Sequence, residues 1–181
     1  MHSTPVPESS DLPPRLACAL DSLVDPVGPA ATFTVPPDPE SVTDARHFAL
    51  DRLGEWRLGA LRDDVGLVVS ELVTNALRHS GGTPLGMPRW NARDGFGALI
   101  DPLGSAPAVI QLRLVHEASW LLCGIIDASG DAPRRKEPDY IAETGRGLHL
   151  VESFSRRWGW RGLPRGKVVW ALFRDPTAGD R

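Results

Sequence analysis

The most regular apolar repeat in the chain runs from Arg62 to His79. Val65, Val68, Val69, Leu72, Val73 and Ala76 recur at the spacing of one helical face, and the glycine pair at 81 and 82 stops the pattern. Upstream, Val42, Ala45, Ala49 and Leu53 repeat in the same way. They predict a helix opening at S-V-T-D, with Ser41 as N-cap, Asp44 three residues on in the manner of a capping box, and Gly54 at its end. Elsewhere the period changes to that of strands. Val109 to Val115 alternates, with Gln111 and Arg113 on one face, while Trp120 to Asp127 is an almost unbroken apolar run. The H-E-A-S between them reads as a hairpin connection. Ala31 to Val35 (A-T-F-T-V) reads as an edge strand cut off by P-P-D-P. Near the end, W-G-W-R and K-V-V-W-A-L-F flank a turn marked by Gly162, Pro164 and Gly166, and G-R-G-L-H-L-V-E-S-F reads as a glycine-marked short helix before them.

This order of elements predicts an α+β fold. It is a two-layer sandwich in which a mixed, mostly antiparallel sheet carries helices on one face. Regular strand–helix alternation is missing, so a doubly wound parallel sheet is excluded. The domain spans 31–174. Before it, 1–30 is a Pro-rich extension expected to be flexible or loosely docked, with a short apolar patch from Leu16 to Val24 suited to a brief helix. The segment 82–108 is a long Gly/Pro-rich insertion without a period, and 175–181 is a tail.

Composition narrows the class. With 181 residues, 41% hydrophobic and 24% charged, the chain is an ordinary globular domain. A net charge of -3 argues against a dedicated nucleic-acid binder. No apolar run approaches the roughly 20 residues that span a bilayer, and the N-terminus lacks the basic start and apolar centre of a signal peptide, so a cytoplasmic protein is expected. Cys18 and Cys123 make neither a disulfide framework nor a zinc site and read as reduced thiols. Only Lys136 and Lys167 of the 20 basic residues are lysine, a skew that points to a GC-rich bacterial genome.

Three polar places interrupt the apolar frame. Glu71 and Asn75 lie one turn apart on the flank of the strongest helix. They read either as a solvated edge or as working groups: an amide oxygen is a hard, neutral ligand for Mg²⁺, and a carboxylate beside it can deprotonate a hydroxyl. Asp127 ends an apolar strand. It either initiates a turn or faces a pocket, where it would accept from an exocyclic amine. Gly145-Arg146-Gly147-Leu148 opens a helix, as a plain helix start or as backbone N–H groups closing on phosphate. A charged, Pro-containing loop precedes these glycines where a dinucleotide fingerprint would have a strand, and this excludes that motif.

Taken together, E-L-V-T-N-A-L-R-H, D-A-S-G-D, G-R-G-L-H-L-V and the closing hairpin through G-K-V-V-W-A-L-F resemble the GHKL ATPase superfamily. The similarity is greatest to the small stand-alone ATP-binding proteins related to bacterial anti-sigma-factor serine/threonine kinases, and it covers about 31–174. It implies a Bergerat-type site for ATP and Mg²⁺. There Asn75 would hold the metal against the phosphates, and Glu71 would be general base for a protein serine or threonine hydroxyl. Asp127 would accept the adenine amino group, with Gly130 in the adenine-side box. Gly145, Arg146, Gly147 and Leu148 would form the phosphate-side turn, while Arg134, Arg135 and Lys136 would lie in a lid. The implied partners are a sigma factor or an anti-anti-sigma protein of the STAS type. No direct contact with nucleic acid or membrane is implied, and a homodimer is compatible. An ATP-dependent partner-binding switch without catalysis is the alternative. The chain departs from the family pattern in two places. Its box reads Asp127-Ala128-Ser129-Gly130-Asp131 in place of D-x-G-x-G, and Gly166-Lys167 stands where many members have Gly-Thr.

Overall fold

A computed structural model describes residues 3–6, 8, 12–80, 109–136 and 147–178. The elements are β1 (Ser3–Pro5), α1 (Pro14–Val24), β2 (Ala31–Val35), α2 (Ser41–Glu55), α3 (Arg62–Ser80), β3 (Ile110–Glu117), β4 (Trp120–Asp127), β5 (Arg134–Lys136), α4 (Gly147–Phe154), β6 (Arg157–Leu163) and β7 (Gly166–Arg174), with a 3-10 turn at Gly59–Leu61. The main sheet has the order β2-β3-β4-β7-β6 with every neighbouring pair antiparallel, and β2 is an edge as expected. The α+β class predicted from the element order is the one observed.

Side-chain alternation assigns the two faces of the sheet. Leu112 and Leu114 of β3, Leu121, Cys123 and Ile125 of β4, and Val169, Ala171 and Phe173 of β7 join the apolar stripes of α2 and α3 in the principal core. The alternate residues Val115, Leu122, Val168 and Trp170 form a second core with Leu16, Leu20 and Leu23 of α1. The opposite face of the sheet is therefore covered as well, which gives the nearly continuous apolar run of β4 its physical reason: both sides of that strand are buried. Here the structure differs from the reading of 1–30 as a loose extension, and also from that of helices on one face only, since α1 lies on the face opposite α2 and α3. Leu20 and Leu23 are fully buried, and each such leucine contributes roughly 1.5–3 kcal/mol.

Two local expectations also change. Ser41 is the first residue of α2 and is itself buried, while Glu40 occupies the cap position without a side-chain bond. Pro36, Asp38 and Pro39 form the turn that leads in, and the Asp38 carboxylate accepts from the Glu40 N–H at 2.9 Å. Residues 3–5 pair antiparallel with 134–136, so the backbone of the expected lid segment is strand β5, tied to the N-terminal β1. No described helix is long and apolar enough to cross a membrane. The 82–108 insertion lies outside the described residues.

Candidate nucleotide site

A cavity of about 160 Å³ opens between α3, the ends of β4 and β7, and α4. Its apolar walls are Leu72 and Ala76 of α3, Ile125 of β4, Val169 of β7 and Leu148 of α4. Leu72, Ala76, Ile125 and Val169 also belong to the principal core, so the cavity is where interlocking of the sheet with α3 stops short of closure.

Asn75 lines this cavity. It is half-buried on the flank of α3, as the helical spacing predicts. Glu71, one turn earlier and also half-buried, is not part of the lining but sits beside it against the start of α4. A Cβ placed on Gly147 would stand 2.6 Å from Glu71 Oε2, 3.3 Å from Asn75 Nδ2 and 3.6 Å from Asn75 Oδ1. A methyl at this point would displace the Glu71 carboxylate from the position it holds. The contact joins two of the three polar places across 72 residues of sequence. Burial raises the Glu71 carboxyl above its ordinary 4.5, and the nearby Arg78 guanidinium opposes that shift.

At the sheet end of the cavity, Asp127 is 2% exposed. Its Oδ1 accepts from the Ser129 N–H at 2.8 Å, which makes the turn that D-A-S-G suggests. The same oxygen accepts from Lys167 Nζ at 2.9 Å, and that ammonium also donates to the Ser129 carbonyl at 3.2 Å. Asp127 and Lys167 are opposite one another in the β4–β7 register. Just before Lys167, Gly166 takes φ +100°, and a Cβ there would overlap the Asp127 carbonyl oxygen and lie 2.7 Å from the Ala128 Cα. The β6–β7 turn is thus seated on the backbone that carries the carboxylate.

Of the residues expected at the site, the structure brings Glu71, Asn75, Gly147 and Leu148 together at one end and Asp127 at the other. Gly130 is exposed and does not line the cavity, and a Cβ there would meet open space; Ser129 and Asp131 line it instead. Gly145 and Arg146 lie outside the described residues. Lys167 and His79 also line the cavity. The sequence signal for Lys167 was a lone lysine heading an apolar strand directly after a turn glycine.

The family model described as histidine kinase-like ATPase domain matches residues 35–173. A comparison with curated proteins finds no match. The matched span holds α2 to α4 and the strands that build the cavity, and the chain belongs to the histidine kinase-like ATPase domain family, as an ATP-binding domain of that kind.

Proposed function

We propose that this protein is an ATP-dependent protein serine/threonine kinase that regulates transcription as an anti-sigma factor, with an anti-anti-sigma protein as its substrate. The observation that carries the reading is the packing of Glu71 and Asn75 against Gly147 at the rim of a cavity whose far end holds Asp127. A nucleotide laid along the cavity would place its adenine amine at Asp127 and its phosphates at the start of α4, where helix N–H groups favour negative charge. Glu71 would take the proton of the partner's serine or threonine hydroxyl as that oxygen attacks the γ-phosphorus. The bond from the γ-phosphorus to the bridging oxygen would break, and ADP would leave. The raised Glu71 carboxyl suits a base, since its conjugate acid forms closer to neutrality.

Asn75 offers a hard oxygen of the type Mg²⁺ accepts, and Glu71 stands beside it. Mg²⁺ takes most of its ligands from water and phosphate, so one or two protein oxygens suffice to hold it. When bound, Mg²⁺ would neutralise charge on the phosphates.

Melting of wild type and Asn75→Ala with and without Mg²⁺-ATP tests the site. A ligand at 100 times its Kd stabilises by about 2.7 kcal/mol. The rise is expected in wild type and lost in the variant; no rise in wild type at millimolar nucleotide would end the ATP reading. Transfer of labelled phosphate to a partner, abolished in Glu71→Gln, tests the kinase. The second reading, an ATP-dependent partner-binding switch, is favoured by the exclusion of Gly130 from the cavity lining. It predicts ATP binding with no labelled partner.

A further inference from the structure

We infer that Lys167 is a base-reading residue, its ammonium donating to N1 of the adenine ring while Asp127 accepts from the N6 amino group. The inference rests on the reading of the cavity as an ATP site. It adds that the base is recognised by an ion pair and not by a carboxylate alone.

Both partners line the cavity and both are buried, Asp127 at 2% and Lys167 at 5% exposure. A buried ion pair is an expensive way to hold two strands together, because desolvating the charges consumes much of their attraction. An apolar pair would pack the end of β4 on β7 at less cost, as Ile125 and Val169 do at the next pair on the same face. The bond pattern points into the cavity. Oδ1 of Asp127 takes both the Ser129 N–H and the Lys167 ammonium, so Oδ2 takes neither of these bonds. The ammonium gives two of its three protons to Asp127 and to the Ser129 carbonyl. One acceptor and one donor therefore stand side by side at the polar end of a cavity whose nearby walls, Ile125, Val169 and Leu72, suit a flat aromatic ring.

The Watson–Crick edge of adenine has the complementary order, an N6 donor next to an N1 acceptor. A carboxylate by itself would satisfy the first and leave N1 facing a negative charge. The register fixes this arrangement: Asp127 and Lys167 are paired across β4 and β7, and Gly166 seats the turn on the Asp127 backbone.

Calorimetric titration of the intact protein with Mg²⁺-ATP and with Mg²⁺-1-deaza-ATP, in which N1 is replaced by C–H, tests the inference. Wild type is expected to bind ATP about ten- to a hundredfold more tightly than the analogue, the worth of a hydrogen bond to a charged group. In Lys167→Met, checked for folding by its melting curve, the two affinities are expected to converge. Equal affinities in wild type would overturn the inference and leave the ATP site standing. A preference that persists in the variant would assign N1 to another group and overturn it too. Binding of neither nucleotide to wild type would remove the ATP reading, and the inference with it. Should Lys167→Met fail to fold, Lys167→Gln takes its place, and a preference that survives in it overturns the inference as surely as equal affinities in wild type.

Discussion

Gly147→Ala separates the stability of the fold from the working geometry of the site. The added methyl would stand 2.6 Å from Glu71 Oε2, whereas ordinary contact begins near 3.4 Å, so the carboxylate must retreat by roughly 1 Å. Asn75 Nδ2, at 3.3 Å from the same point, must give by a few tenths of an ångström. Both groups are ends of half-buried side chains, so the fold absorbs the change. A Glu71 torsion pushed off its rotamer costs about 0.5–1.5 kcal/mol. Replacing a helical glycine by alanine returns up to about 1 kcal/mol. The net effect on stability is within about 1 kcal/mol, or about 2–4 °C in Tm for a chain of this size. Catalysis is less forgiving, because a misplacement of about 1 Å in a reacting group costs on the order of 10²-fold. Two measurements suffice: melting without nucleotide, and the single-turnover rate of phosphoryl transfer from Mg²⁺-ATP. A near-native Tm with a rate lower by about two orders of magnitude is the expected result. A folded variant with the wild-type rate would show that the contact of Glu71 and Asn75 with Gly147 is no part of the working site. A collapse in Tm would show that the helix start cannot be accommodated by side-chain movement.

Three shorter predictions follow from other contacts. Leu23→Ala, at a fully buried position that packs on Gly124 of β4, is expected to lower stability by about 2–5 kcal/mol in a denaturant titration, whereas a change under about 0.5 kcal/mol would show that α1 is only loosely held. Gly166→Ala forces a side chain to φ +100° and against backbone, which does not yield; a loss of at least about 1–3 kcal/mol is expected, and near-native stability would refute the seating of the turn on Asp127. On the proposed role of Glu71 as general base, the transfer rate should rise with pH along a limb above 4.5, since a base acts deprotonated and burial raises this carboxyl. Arg78 opposes that shift, so Arg78→Ala should move the limb higher still; a limb that moves lower would contradict the assignment. The same sign holds for stability: the protonated Glu71 is the form that folding favours, so its contribution is full below 4.5 and is lost as pH rises through the folded pKa.

Much of the fold was legible because it is written in local periodicity. The stripe on α3, the alternation in β3 and the edge strand at Ala31–Val35 each reflect one element's own exposure pattern, and the observed bounds fall within a few residues of the predicted ones. The docking of α1 was harder to see. Its three buried leucines are an ordinary apolar patch when read alone, and only the second face of β4 and β7 gives them a partner. Cys123 shows the same limit from another side. The sequence offers it as a thiol without saying how reactive it is, and only its full burial, which pushes its pKa up to about 12, makes it inert. Asp127 drew attention as an acid ending an apolar strand, whereas Lys167 stood out only as a departure from the family's Gly-Thr, because its pairing with Asp127 depends on register with a strand 40 residues away. Gly130 was chosen by its nearness to the adenine-side pattern; the turn that Ser129 makes onto Asp127 directs Ser129 and Asp131 inward in its place.

The positions of Asp127, Lys167 and Asn75 follow from how this core ends. Along β4, alternate residues of one face read Leu121, Cys123, Ile125 and Asp127; along β7 they read Phe173, Ala171, Val169 and Lys167. Each series is apolar while α2 and α3 cover it and turns charged where α3 no longer closes on the sheet. The same logic runs along α3: Val65, Val68, Val69 and Leu72 are core, then Asn75 and Ala76 reach the cavity. The site is therefore the unfilled end of the principal core and not a loop placed on top of it. Two consequences distinguish this arrangement from a surface site. A nucleotide that fills the cavity completes packing for Leu72, Ile125 and Val169, so binding should protect amides in the middle of α3 and β4 from exchange as well as those at the rim. Core substitutions that shift α3 against the sheet should weaken nucleotide binding even where they touch no ligand, because Asn75 and Leu72 move as parts of one rigid element.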